Sequence, residues 1–269
     1  MDYKIFSPND KLSKYIKCYW SLENQDDSVP HSRERIFPDG CIELIFNYGD
    51  LFVTYNPNGE AEEQPKNFIH GQLKKFIEVQ GMGKIGVFSI RFQPAGLQPF
   101  IDSDISQFTG IFTEVSNIWK EGNLLEKEMS SCKNNEERIS VIEKFLEKRL
   151  KNSPNNADIE CCVNEIIQSD GMISIEKLSD DLKIGRRHLE RKFLSNVGLS
   201  LKLFSRIIRF NNALQLIENK DFRNFTNVAH DGGFYDQAHF IKDFKYFTGL
   251  NPKQYFSENL EMAKYFNLE

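Results

Sequence analysis

The last third of the chain states one pattern twice, 51 residues apart. His188, Leu189, Arg191, Phe193, Gly198, Leu199, Lys202 and Phe204 return as His239, Phe240, Lys242, Phe244, Gly249, Leu250, Lys253 and Tyr255. A fixed period of this length means two copies of one supersecondary unit. In each copy a short apolar segment, a tight turn and a charged helix follow one another. The arrangement predicts two helix-turn-helix units in one all-α domain.

Local signals set the bounds of each unit. In the first, Ser174 can cap a helix over Ile175–Leu182, residues 183–185 make the turn, and a second helix runs over Arg186–Val197. Leu189 and Phe193, four apart, face inward with Leu178 and Leu182. Arg186, Arg187, Glu190 and Arg191 are left outside, and Gly198 stops the helix. In the second, Thr226 is read as the cap of a helix over 227–231, with small Ala229 permitting close crossing and Gly232 and Gly233 as the turn. Asp236 then caps a helix over 237–247, with Phe240 and Phe244 inward and Gln237, Ala238, His239, Ile241 and Lys242 nearer the outside. Between the units, Leu203, Ile207, Phe210, Leu214 and Ile217 recur at helical spacing over 201–219. A helix of that length spans roughly 28 Å. It could hold two helices about 34 Å apart, the separation of successive major-groove segments.

Charge agrees with such a division of labour. The whole chain is acidic, at −5, yet residues 183–253 carry 13 Lys and Arg against 6 Asp and Glu. That local surplus of seven positive charges leaves −12 on the remainder. A basic module on an acidic partner suits a chain that meets nucleic acid through one end only. No apolar run approaches the roughly 18 residues needed to span a bilayer, and the opening MDYKIFSPND has neither the basic start nor the apolar stretch of a signal peptide. The five cysteines show no paired metal-ligand spacing and are odd in number for a disulfide framework. The expectation is a cytoplasmic protein without membrane contact, metal or cofactor.

Residues 1–100 read as β. Stretches 15–22, 41–47 and 84–92 are rich in β-branched and aromatic residues and bounded by turn formers. Shorter strands are predicted over 51–54, 67–70 and 76–80, with loops over 23–32 and 55–66. From about Gln93 the pattern turns helical. Residues 135–151 place Ile139, Ile142, Phe145, Leu146 and Leu150 on one face, and Pro154 breaks the run. The chain is therefore divided into a β-rich domain over 1–151, a linker over 152–158 and a helical domain over 159–269, with its two units at about 174–197 and 226–247. The fold class is α+β in two domains: a mainly-β barrel or sandwich with trailing helices, then an all-α tandem helix-turn-helix.

Over roughly 158–258 the chain resembles the AraC/XylS family of transcription regulators. The resemblance rests on Arg187-His188-Leu189-Glu190-Arg191-Lys192-Phe193, Gly198, Arg209, Ala213, Val228-Ala229, Gly233-Phe234, Asp236-Gln237-Ala238-His239-Phe240, Phe244-Lys245, Gly249, Pro252 and Tyr255. Gly185 stands where the family commonly has Ser, Ala238 where relatives often place a polar base-contacting residue, and Ser179 where alanine is usual. Glycine caps less well than serine by only a few tenths of a kcal/mol. The resemblance implies double-stranded DNA as partner, with Arg187, Glu190 and Arg191 in one major groove, Gln237, His239 and Lys242 in the next, and Arg186 and Lys245 as further DNA-binding residues. Arg suits guanine, Gln adenine and Glu cytosine, while Lys and Arg also hold phosphates. His188 reads instead as a partly buried helix residue. The family further implies an activator that recruits RNA polymerase, with a homodimer among the possible states.

Residues 3–150 resemble a domain found ahead of such regulator domains in bacterial proteins. The residues concerned are Tyr19-Trp20, Pro38-Asp39-Gly40-Cys41-Ile42-Glu43-Leu44, Gly71-Gln72 and Arg91-Phe92 with Pro94 and Gly96. This implies a cupin-like β-domain that binds a small-molecule effector. Glu43, Gln72 and Arg91 are the polar groups to seek inside it. A carboxylate buried at Glu43 needs a partner, which Arg91 could supply, although either could equally point outward. His31 and His70 stand alone, which disfavours a metal site. Two other readings stay open. One is an enzyme or a cysteine alkyl-acceptor repair protein, with Cys41 as the thiol; the other is a regulator with no small ligand at all.

Overall fold

The computed structural model describes residues 1–24, 31–150, 156–218 and 225–257. Its N-terminal part holds ten strands: β1 Asp2–Phe6, β2 Ile16–Asn24, β3 Glu34–Ile36, β4 Ile42–Asn47, β5 Phe52–Tyr55, β6 Ala61–Glu63, β7 Asn67–His70, β8 Ile77–Gly81, β9 Ile85–Phe92 and β10 Phe112–Glu114. They form a six-stranded sheet in the order β1-β2-β9-β4-β7-β10 and a four-stranded sheet in the order β3-β8-β5-β6. Every pairing is antiparallel.

Alternation along each strand gives the large sheet two different faces. Tyr19, Leu44, Phe88 and Ile90 face helices α1 Val115–Ile118, α2 Gly122–Ser131 and α3 Asn135–Arg149, where Leu125, Met129, Ile142 and Leu146 complete one core. Trp20, Leu22, Ile85 and Val87 face the other way and join Phe52 of the small sheet in a second cluster. Strand β9 is covered on both sides, so all eight of its residues are buried. That is why its sequence, IGVFSIRF, reads as a nearly continuous apolar run.

The C-terminal part is helical: α4 Ala157–Gln168, α5 Ile175–Leu182, α6 Arg186–Val197, α7 Leu201–Glu218, α8 Phe225–Asp231, α9 Gln237–Thr248 and α10 Pro252–Ser257. Its core is dominated by phenylalanine, with Phe193, Phe204, Phe210, Phe240, Phe244 and Phe247 all fully buried. Each such ring contributes about 1.5–3 kcal/mol from burial. The edge-on contact of Phe210 with Phe244, at 5.8 Å between centroids, adds the geometry that aromatic quadrupoles favour.

The two parts are docked, not merely tethered. Helix α6 rests on the short 3-10 turn Ile105–Phe108, and the Thr109 hydroxyl donates to the Gly198 carbonyl at 2.7 Å. Asn156 bridges Gln98 (3.1 Å) and Asn196 (2.7 Å), while Lys14 pairs with Glu160 at 3.0 Å. Phe37, from the loop between β3 and β4, belongs to the helical core, where its ring meets Phe210 and Tyr255.

Several sequence expectations are corrected. Thr226 does not cap α8, because the helix already includes Phe225; its hydroxyl instead donates to the Gln237 side chain at 3.0 Å. His188 is exposed, since its helix turns Leu189 and Phe193 inward and leaves it beside Arg191. The stretch read as a loop over 55–66 contains β6, and the stretch over 23–32 begins inside β2. Of the linker read over 152–158, residues 152–155 lie outside the described residues, and Ala157 already belongs to α4.

Candidate nucleic-acid interface and candidate ligand cavity

Capping chemistry fixes where each helix-turn-helix unit begins and ends. The Ser174 hydroxyl accepts from the Lys177 amide at 3.0 Å, and Lys183 adopts the left-handed conformation (φ 54°) that ends α5. Helix α6 then opens at Gly185 without a side-chain cap and closes at Gly198 (φ 85°). In the second unit the Asp236 carboxylate accepts from the His239 amide at 2.7 Å, and Gly249 (φ 76°) closes α9. A side-chain cap is worth about 1 kcal/mol, so α9 has a better-defined start than α6.

The outward residues of α6 differ in how tightly each is engaged. Arg186 bonds Glu190 at 3.1 Å and also pairs with Glu176, so this guanidinium is held by two carboxylates. Arg187 is exposed, and Arg191 is exposed with its guanidinium 3.2 Å from the His188 ring. On α9, Gln237, Lys242 and Lys245 are exposed, whereas His239 leans inward. Its ring lies against Phe234 and its Nε2 is 3.8 Å from the buried Asp243 carboxylate. Tyr235, 92% exposed just before α9, was not singled out from sequence. Its position in the turn carries no periodic signal.

Both units are pinned to α7. Arg206 of α7 makes two hydrogen bonds, 2.8 and 3.1 Å, to Asp243 of α9. Arg209, one turn on, donates to the Gly171 carbonyl at 2.8 Å, at the entrance to the first unit. Gly171 takes φ 73°, and a Cβ there would meet the Ser205 carbonyl at 2.2 Å, so the contact with α7 admits no larger residue. The second helix of the first unit is held in turn by Lys192 on Asp158 of α4, at 2.6 Å. A bidentate Arg–carboxylate pair fixes orientation as well as distance.

Between the two sheets lies a cavity of about 100 Å³. Register explains its polar end. Arg91 of β9 stands opposite Cys18 of β2 and Glu43 of β4, and Glu43 stands opposite His70 of β7. Arg91, Glu43 and His70 line the cavity with Asp39 and Cys41 from the preceding turn. Glu43 accepts from Ser89 (2.7 Å), the Trp20 indole (3.1 Å) and Arg91 (3.4 Å), while Asp39 forms an ion pair with Arg91. Burial pushes the Glu43 carboxyl up, against the opposing pull of Arg91, Ser89 and Trp20. Burial first, and the Asp39 charge second, push the Cys41 thiol up to about 12, the reverse of what a reactive thiolate needs.

Glu43 and Arg91 thus both face inward, resolving the orientation that the sequence left open. Gln72 does not line the cavity. It is fully buried at the domain junction, where its amide donates to the Gly40 carbonyl at 2.7 Å. Asp39 was missed as a third member of the charged cluster because it sits in a turn, outside the alternation that marks strand residues.

His70 makes the cavity wall sensitive to acid. Burial lowers its pKa to about 4 from the ordinary 6.5, although Asp39 opposes the shift. A base whose folded pKa is depressed contributes stability above the unfolded value and loses it as pH falls through the folded one. The urea midpoint is therefore expected to fall between pH 6.5 and about 4 more steeply than in His70→Gln. Parallel curves for the two proteins would contradict this. Glu43, with its carboxyl raised, acts in the opposite sense in both proteins and cancels from the comparison.

Residues 178–258 match the family described as a helix-turn-helix domain, and residues 4–114 match a domain of unknown function (DUF6597). The chain is similar to uncharacterized HTH-type transcriptional regulators of Staphylococcus aureus strains MSSA476 and MRSA252, each 31% identical over 83 residues. The matched stretch covers 31% of this chain and 11% of each relative, so the chain corresponds to about a tenth of their length. Among solved structures, ToxT from Vibrio cholerae aligns with a TM-score of 0.47 at 13% identity, over 88% of this chain and 98% of that one. The C-terminal domain of AraT, a response regulator from Geobacillus stearothermophilus, aligns with a TM-score of 0.36 at 21% identity, over 38% of this chain and 86% of that one. No helix among the described residues is long and apolar enough to cross a membrane.

Proposed function

We propose that this chain, whose C-terminal part is a DNA-binding helix-turn-helix domain of the AraC type, is a sequence-specific transcription regulator that grips two successive major-groove segments with α6 and α9. The observation that carries this reading is that one helix, α7, is fastened to both units. Its 18 residues span about 27 Å, close to one turn of B-form DNA, about 34 Å. Arg187 and Arg191 enter the first groove, with Arg186 and Glu190 as a mutually restrained pair at its edge. Gln237 and Lys242 enter the second, Lys245 holds a phosphate, and His239 stays partly turned to Asp243. The activator role, through contact with RNA polymerase, and the option of a homodimer are supported by the family resemblance.

The N-terminal domain modulates this grip. Support comes from the loop at residues 37–41, which touches both sides. Asp39 reaches into the cavity to Arg91, while Phe37 is seated in the helical core and the Pro38 carbonyl accepts from Asn211 of α7 at 3.1 Å. A Cβ at Gly40, which takes φ 83°, would lie 2.6 Å from the Phe204 ring. A ligand that rearranges Asp39 therefore acts directly on the seat of α7, biasing an equilibrium between states of different DNA affinity.

Titrating variants on a selected DNA site tests the contacts. Arg187→Ala is expected to cost about 1–3 kcal/mol of affinity and to relax preference at one base position. Lys242→Ala is expected to weaken all sequences alike and to lower the slope of log affinity against log salt by about one. Unchanged binding in both variants would assign these faces to solvent alone.

A further inference from the structure

The wall of the cavity specifies the chemistry of what enters it. Among the described lining residues, the charged groups are one guanidinium, Arg91, and two carboxylates, Asp39 and Glu43. The Arg91 charge therefore answers only one of the two acids. A buried carboxylate without a full counter-charge is costly, and an incoming anion would add a third.

Hydrogen-bond capacity points the same way. A carboxylate offers about four acceptor positions. In Glu43, Oε2 is occupied by Trp20 and Ser89, whereas Oε1 receives Arg91 alone at 3.4 Å. Farther along the same face of β4, Asn47 lines the cavity at 2% exposure, and its Oδ1 has no hydrogen-bond partner. Its amide donates to the Pro65 carbonyl at 3.5 Å, and the oxygen is left buried and unpaired. The vacant positions at both ends are acceptors, so the missing partner is a donor. Between them lies Ile45, and Val87 and Phe52 supply further apolar wall.

We infer that the cavity is the receptor site for a small aliphatic amine, with its ammonium on Glu43 Oε1, its carbon chain along Ile45, and a second donor at the far end on Asn47 Oδ1. The inference rests on the reading of the N-terminal domain as a sensor and gives that sensor its ligand class. Four strand residues separate the two acceptors by about 13 Å. With a hydrogen bond of about 2.9 Å at each end, the two donors of the ligand stand roughly 7 Å apart. The cavity volume, about 100 Å³, is on the scale of the roughly 150 Å³ apolar cavity that admits benzene, which limits the ligand to a short chain.

Four probes of nearly one shape test the proposal on the full chain: pentylamine, pentanol, pentanoate, and the amino alcohol bearing a hydroxyl on the far end of pentylamine. Binding is read by calorimetry and by ligand-observed NMR, without DNA. Pentylamine is expected to bind roughly tenfold more tightly than pentanol, as a charge-assisted hydrogen bond confers, with pentanoate weakest and the amino alcohol tightest. Glu43→Gln is expected to erase the preference for amine over alcohol, and Asn47→Leu to erase the gain from the distal hydroxyl. Pentanoate binding as well as pentylamine, or none of the four binding, overturns the proposal, and wild-type protein alone decides this if a variant fails to fold. The same solutions added to a DNA titration separate the two readings. Amine binding that leaves DNA affinity unchanged sinks the gating and keeps the site. DNA affinity that responds to other metabolites, while amines do not bind, sinks the site and keeps the gating.

Discussion

Selection from a random-sequence DNA pool is expected to return two short half-sites on one face of the duplex, their centres about 10 base pairs apart. The expectation follows from α7, which is clamped to α9 by Arg206 on Asp243 and to the first unit by Arg209 on the Gly171 carbonyl. Because these contacts fix direction as well as distance, the two units cannot rotate independently to follow a shifted half-site. Inserting five base pairs between the half-sites turns one of them to the far side of the duplex. Affinity should then fall by about 10³ or more, toward the non-specific level. Asp243→Ala removes one clamp, so it should both weaken binding to the native spacing and soften the penalty for the insertion. A protein that tolerated the five-base-pair insertion would show that α7 does not act as a fixed spacer.

The second large effect is on stability. Replacing Arg91 by Met keeps most of the side-chain volume but leaves Asp39 and Glu43 facing each other without a cation. Breaking a buried ion cluster in this way costs about 3–5 kcal/mol. For a chain of this size that lowers the melting temperature by roughly 10 °C. Adding Glu43→Gln and Asp39→Asn to the same protein removes the stranded charges and should recover much of the loss, since an uncharged interior of similar volume is tolerated. Thermal unfolding of the single and triple variants distinguishes the cases. A single variant as stable as the parent, or a triple variant no better than the single, would mean that the cluster does not stabilise this end of the large sheet.

What could be read from the sequence, and what could not, divides along physical lines. In the helical domain the caps and stops are local signals: Ser174, Asp236, Gly198 and Gly249 each act within four residues, and all four sit where their chemistry places them. Thr226 failed as a cap because the side chain found a partner eleven residues away in Gln237, which no local pattern records. In the β-domain, the strands recognised in the sequence are β2, β4, β5, β7, β8 and β9, all interior to a sheet. The four that escaped, β1, β3, β6 and β10, are the four sheet edges. Edge strands are kept short and charged to discourage pairing with other chains, and Ala61–Glu63 and Glu34–Ile36 lack the alternation that marks a half-buried strand. The cavity was half legible. Glu43 and Arg91 announce themselves as charges inside apolar runs, whereas Asp39, Asn47 and His70 acquire meaning only from cross-strand register and a turn.

Phe37 carries a last implication. Its ring comes from the loop between β3 and β4 yet fills space among Phe210, Tyr255 and their neighbours. A fragment cut at the linker would leave the helical half with a hole where a phenyl group belongs, and the β-half with a greasy hook and nothing to catch. The halves are therefore fitted to each other like a key to its own lock. Grafting a foreign N-terminal domain onto these helices should succeed only when the hook travels with the helices rather than with the sheets.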